Sequence, residues 1–295
     1  MSIWILLGAP WVLAIALTAV LPALADRFHP YWQAPVAATL ALMMAISTWI
    51  SMVAGASILL GHPGVMGRIE ALSLIGICAG LLLLALRHLL RVRMSVRAGR
   101  AIRCGAADKD GAVVIVEDDR PDAFAVPGRA GGLIVLTTGL TAVMTAAERR
   151  AVIDHERAHL RQRHHFHVQA VELAACLNPL LRPWTRVVRL AVERSADEHA
   201  ARGGRGNAAR AIARAALLCA HAQPAPGCRI TGRPSDVRAR VLALTHEAPP
   251  RQRWYMLALA AVIAVLISAQ TYLAADIAQD RFAPERGEPL STVIG

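Results

Sequence analysis

Residues 151–167 read AVIDHERAHLRQRHHFH, a run that holds five histidines: His155, His159, His164, His165 and His167. Its centre, His155-Glu156-x-x-His159, has the pattern H-E-x-x-H. A spacing of four sets two side chains within about 40° of each other on a helix, one turn apart. Both imidazoles can then meet one metal ion. Glu156 projects to the flank, where its carboxylate reaches the attacking water rather than the metal. A helix is expected here on independent grounds. Thr145 and Glu148 have the spacing of a capping box, which predicts a start near Thr145 and places His155 and His159 in the later turns.

A hydrolytic zinc site needs a third protein ligand and one open position. The candidate lies in ERSADEH (193–199). Glu193 and Asp197 are also four apart on an expected helix. Glu193 would complete a His, His, Glu set. Asp197, one turn on, would accept the outer N–H of a ligand histidine and fix its tautomer. The competing reading is a solvated acidic face in which Glu193, Asp197 and Glu198 pair with Arg194 and Arg202. For His164, His165 and His167 the bland reading is a polar helix end near lipid headgroups. A second metal site or a substrate contact is the alternative. His199, one turn past Ser195, is a further candidate neighbour of the site.

Working outward, the chain of 295 residues is 55% hydrophobic, and the excess falls in blocks. Residues 3–25, 34–60, 71–86 and 254–275 each reach or approach the roughly 20 residues a helix needs to cross a bilayer. Block 3–25 lacks a basic leader and is longer than a signal-peptide core, so it reads as a retained span. Arginines 87, 91, 93, 97, 100 and 103 follow the third block, and Arg251 and Arg253 precede the fourth. By the positive-inside rule both ends of the intervening segment are cytoplasmic. The expected fold class is a mainly α membrane protein. It has three spans in 1–91, a cytoplasmic zincin-like α+β domain with a small sheet in 92–250, a fourth span in 251–276 and a short extracytoplasmic tail in 277–295.

Within the domain, 111–118, 122–128 and 131–139 read as strands, the one at 133–137 as an edge strand that could bind extended substrate. Helices are expected at 187–202, at 207–222 with Asn207 as cap, and at 235–244. NPLLRPW (178–184) breaks the apolar stretch before them. The net charge of +11 comes almost wholly from arginines that flank apolar blocks, which fits anionic headgroups and not direct nucleic-acid binding. Five scattered cysteines form no CxxC pair and read as small hydrophobes rather than a disulfide framework.

HERAH followed by ERSAD, together with AFAVPG, LIVLTTGL, Asn178-Pro179 and VERSADEHA, resembles the BlaR/MecR-type integral membrane zinc metallopeptidases of the gluzincin kind. With about 20 residues after the last block, a form without their sensor domain beyond the last span is expected. The HtpX and CAAX-processing membrane endopeptidases are a second similar group. The resemblance implies peptide-bond hydrolysis with Zn2+ held by His155, His159 and Glu193 and with Glu156 as acid–base. It implies a cytosolic repressor, or the chain itself, as substrate in regulated proteolysis. Housekeeping trimming of membrane proteins and a catalytically silent membrane signalling protein are the other readings.

Overall fold

The computed structural model describes residues 3–25, 28–61, 64–105, 112–128, 131–221, 234–247 and 254–282. Its first three helices are α1 (Ile3–Ala25), α2 (Pro30–Leu60) and α3 (Val65–Gly105). His29 caps α2 by accepting the Tyr31 N–H on Nδ1 at 3.2 Å, and Pro30 sits in the first turn, where its missing N–H is harmless. α3 runs well past the apolar block at 71–86 and through residue 92. The sequence after Leu86 supplies Arg, Leu, Met and Ala with no proline to stop it.

A three-stranded sheet follows, made of β1 (Val113–Val116), β2 (Ala123–Val126) and β3 (Leu133–Thr137). The spatial order is β1-β3-β2, with β1 parallel and β2 antiparallel to β3. The 133–137 strand is therefore central and fully buried, not an edge. Its unbroken apolar run, LIVLT, is the signature of a strand flanked on both sides. β2 is the edge strand beside the helices.

The remaining helices are α4 (Thr138–Val143), α5 (Ala146–Arg161), α6 (His164–Leu177), α7 (Arg182–Ala200), α8 (Arg205–His221), α9 (Pro234–Thr245) and α10 (Trp254–Phe282). α5 begins as its sequence dictates. Glu148 N–H donates to Thr145 Oγ1 at 3.3 Å, and Thr145 N–H donates to Glu148 Oε2 at 2.9 Å. α7 starts five residues earlier than expected, because Pro183 in its first turn is compatible with helix. α8 starts at Arg205 rather than after Asn207. Gly204, at φ 124°, makes the break instead, a conformation that side-chain-bearing residues avoid.

Among the described residues three helices are long and apolar enough to cross a membrane: Pro30–Leu60, Val65–Ala101 and Trp254–Asp276. The expected fourth, the first block, forms α1 and is not among these three; its described apolar stretch is Gly8–Leu21. α2 is the central post, with Ala34, Ala37, Ala41, Ala45 and Ala54 buried along it. Small residues let neighbouring backbones approach closely. α3 and α10 turn Leu72, Leu82, Val262 and Leu266 outward, as helices facing lipid do. The main core joins α1, α2 and α10 to Val171 and Ala174 of α6 and to Trp184, Val188 and Val192 of α7.

The α6–α7 connection is pegged into this bundle by polar side chains. Trp49 Nε1 donates to Leu177 O (3.1 Å), Asn178 Nδ2 to Thr48 Oγ1 (3.0 Å) and Trp184 Nε1 to Thr18 Oγ1 (2.8 Å). Of the sequence features named above, Arg251, Arg253 and tail residues 283–295 lie outside the described residues. Cys78 and Cys176 are free and half-buried.

The α5 cap yields a measurable expectation. Glu148 serves both Thr145 and Arg214 Nη1 (3.0 Å). The Thr145 backbone bond, with the Thr145 hydroxyl and Arg214 beside it, outweighs burial and holds its carboxyl below the usual range. Glu148→Ala should lower stability in detergent by about 1–2 kcal/mol in thermal unfolding. Because the folded-state value is depressed, that contribution is full above the ordinary carboxylate range and fades as pH falls through the folded value. The parent and Glu148→Ala should therefore converge in acid. A constant difference across pH would contradict this account.

Candidate metal centre

α5 and α7 cross so that the histidine pair of one faces the carboxylates of the other. His155 Nε2 and His159 Nε2 are 3.1 Å apart. Glu193 Oε2 lies 3.5 Å from His155 Nε2, and Glu193 Oε1 lies 3.7 Å from His159 Nε2. These three residues each offer a ligand atom, all within 4.8 Å of one another. A tetrahedral zinc site with bonds of about 2.0–2.1 Å has ligand-to-ligand edges of roughly 3.3 Å. The imidazole nitrogens are close to that edge apart, each has a Glu193 oxygen within 3.7 Å, and the donor set is His2Glu, so the residues fit zinc.

The outer nitrogens have partners of different kinds. His155 Nδ1 is 2.9 Å from Asp197 Oδ1. His159 Nδ1 is 3.0 Å from His164 Nδ1. With its outer nitrogen pointing to a carboxylate, His155 turns Nε2 toward the ligand position. Burial opposes a charge on His155, yet the hydrogen bonds and charges of Asp197 and Glu193 prevail and push it up to about 10. His159 goes the other way, down to about 4, chiefly through burial.

Asp197 and Glu193 are held by an arginine that sequence reading did not single out. Arg240 of α9, 2% exposed, donates from Nε to Asp197 Oδ2 (2.7 Å) and from Nη2 to Asp197 Oδ1 (2.8 Å). Its Nη1 is 3.0 Å from Glu193 Oε2. Burial opposes ionisation of both acids, but the Arg240 charge dominates and holds both well below the usual carboxylate range. A signal was present in the sequence. Val237, Arg240, Val241 and Leu244 share one helical face, and an arginine on an apolar stripe calls for a buried partner.

Glu156 is buried beside the histidines, and burial raises it to about 7. The backbone of Ala125 in β2 lies beside its carboxylate and slightly opposes that rise. Thr137 N–H donates to Asp122 O (3.1 Å), and Ile134 N–H to Ala112 O on the β1 side (3.0 Å). Strand alternation therefore turns the N–H and C=O of Ala123 and Ala125 to the open side of β2. Asp122 Oδ1 takes the Ala123 N–H at 2.9 Å, which leaves the two carbonyls on that side for a further strand. A cavity of about 20 Å³, the size of one water, lies behind the helix between His155, Glu156, Asp197 and the alanines of α8.

Of the other histidines, only His164 enters the site. It is 3% exposed, not a headgroup-facing residue. His165 leans on Phe166, with ring centroids 4.2 Å apart, and His167 is half-buried on α6. His199 sits on the flank of α7 toward Arg161 and Arg202. Glu198 pairs with Arg205 at 2.7 Å, away from the cluster.

A sequence model of Peptidase family M48 matches residues 93–178, from the last turns of α3 to Asn178. The matched segment is less than a third of the chain. It holds His155, Glu156 and His159 and ends before Glu193. No curated protein and no solved structure matches the chain. M48 peptidases are metal-dependent, so this match and the His-His-Glu cluster support a metallopeptidase, and the three apolar helices support a membrane one.

Arg240 carries the next expectation. Removing one partner of a buried ion pair leaves the other charge uncompensated, at a cost of about 3–5 kcal/mol. Arg240→Met should lower the unfolding midpoint in detergent by about 10 °C, and Arg240→Lys, which keeps charge but not the fork, by less. An unchanged midpoint in Arg240→Met would mean that Asp197 is satisfied otherwise.

Proposed function

We propose that this chain is a membrane-embedded zinc endopeptidase that hydrolyses peptide bonds at the cytoplasmic face. His155, His159 and Glu193 are the ligands, Glu156 is the acid–base, and Asp197 orients His155. The observation that carries the reading is the convergence of ligand atoms from His155, His159 and Glu193 within 4.8 Å of one another, with a buried carboxylate, Glu156, on the same helix as the two histidines. A zinc ion held by these three residues would supply Lewis-acid polarisation of the scissile carbonyl and acidify the attacking water. Glu156, raised to about 7 by burial, would serve as the base toward water and as the acid toward the leaving nitrogen. The open side of β2, with the carbonyls of Ala123 and Ala125, replaces β3 as the seat of an extended substrate. Main-chain pairing there gives affinity with little sequence demand.

The biological reading is regulated proteolysis, with a cytosolic repressor or the chain's own 203–235 segment as substrate. Residues 222–233 of that segment lie outside the described ones. Finding a repressor gene beside this one would favour that reading over the housekeeping one. One observation favours a second: α6 and α7 share a core with the apolar helices, which would hold the site close to a bilayer and suits trimming of membrane proteins. In the proposed topology α1 is a fourth span and both termini are extracytoplasmic. The resulting divisions are 1–91, 92–250, 251–276 and 277–295.

Metal analysis by mass spectrometry on purified protein should find one zinc per chain, lost in His159→Ala and in Glu193→Ala. Full occupancy in both variants rules out this ligand set. Glu156→Gln should keep zinc and lose about 10²–10⁴-fold in cleavage rate. Signalling or cleavage that survives intact in Glu156→Gln would sink the assignment of this site as the peptidase and promote the silent signalling protein. Reporters fused after residue 110 and at Gly295 should read cytoplasmic and extracytoplasmic, respectively. The reverse result would remove cytosolic repressors as substrates.

A further inference from the structure

The two ligand histidines are secured by unlike partners, and the partner of His159 is another imidazole. Two ring nitrogens at 3.0 Å, His159 Nδ1 and His164 Nδ1, need one proton between them. If His159 is to offer the lone pair of Nε2 to a metal while neutral, the proton is on His159 Nδ1. His164 Nδ1 must then accept, which puts the proton of His164 on Nε2. That nitrogen lies 3.1 Å from Gln162 Oε1, an oxygen that can only accept. Ser195 Oγ, two residues past Glu193 on α7, donates to the same oxygen at 2.6 Å. Both contacts fix the amide with its oxygen toward His164. The opposite orientation would present an N–H to His164, reverse every bond in the chain and leave the proton of His159 on the metal side.

The backbone is bent to make this possible. Arg163, between α5 and α6, has φ 52° and ψ 40°, and it is the only positive-φ residue other than glycine among those described. A side-chain-bearing residue in the left-handed region costs of order 1 kcal/mol and persists where the surroundings demand it. Here the turn reverses the chain sharply enough to lay His164 back over His159, with ring centroids 4.9 Å apart.

We propose that His164, Gln162 and Ser195 form a neutral tautomer relay that positions His159 as a metal ligand. The proposal rests on the ligand set given under Proposed function. His164 is a positioning residue and touches no reacting atom.

The test is zinc affinity, by competition with a chromophoric chelator, in the full chain purified in detergent, with the visible spectrum of the cobalt-substituted protein as a second readout. Loss of an outer partner typically weakens metal binding 10–100-fold. His164→Ala and Gln162→Met should both show a loss in that range and an altered cobalt spectrum. His164→Asn, whose Oδ1 stands in for Nδ1 as acceptor, should recover most of the affinity. Arg163→Gly, which relieves the strained turn, should bind zinc as the parent does. If His159→Ala loses zinc while His164→Ala and Gln162→Met keep parental affinity, the relay is wrong and the ligand set stands. If His159→Ala also keeps zinc, both fall. Should His164→Ala fail to fold, Gln162→Met and His164→Asn decide the question: parental affinity in Gln162→Met overturns the relay, and a loss there with recovery in His164→Asn supports it.

Discussion

Everything at the centre turns on one buried carboxylate. Asp197 is 2% exposed and has two demands on it, His155 on one side and the Arg240 fork on the other. A lone carboxylate at that depth, one turn from Glu193, would take up a proton and lose its hold on the histidine. Arg240 prevents this, so α9 is as necessary to the centre as α5 and α7. α9 is fixed in turn by an apolar core of Val237, Val241 and Leu244 against Ala208 and Ile212. Arg205 closes the arrangement. It pairs with Glu198 and donates to the carbonyls of Ala243 and Leu244 at the end of α9 (3.1 and 3.2 Å).

The same helices tie the centre to the bundle. α7 carries Glu193 and Asp197 near one end and Trp184 near the other, where it is locked to Thr18 of α1. The irregular backbone at 177–181 would be costly at membrane depth if its polar groups lacked partners. Trp49, Thr18 and the side chain of Asn178 supply them. The centre therefore rests on a scaffold continuous with the apolar helices and not on a separately tethered unit. It lies beside the sheet edge from which Ala125 reaches Glu156.

Local spacing was legible. Thr145 and Glu148 are three apart and His155 and His159 four apart, and a helix turns any such interval into a contact whatever surrounds it. The apolar blocks were legible for the same reason, since composition over twenty residues needs no partner to be recognised. Even so, α3 outran its block, because helix propensity carries on after hydrophobicity stops. The pairing of Glu193 with the histidines was an inference from the chemistry a zinc site requires, and the fold brings those groups within 3.7 Å.

What sequence alone could not decide is where separate elements meet. The strand order β1-β3-β2 puts β3 in the centre and leaves β1 and β2 as the edges, with β2 the one beside the helices, because pairing partners are chosen by packing across the chain and not by the pattern within one strand. Arg240 lies 43 positions from Asp197, and only the docking of α9 onto α7 turns one arginine among many into a buried counter-ion. His164 is told apart from His165 and His167 by the left-handed turn at Arg163, a backbone choice that local preference opposes and tertiary contacts impose. The sequence by itself determined the helical spacing of His155, Glu156 and His159 and the apolar blocks around them. Tertiary structure decided which charges and imidazoles secure that motif, because a buried polar group is stable only where another element brings it a partner.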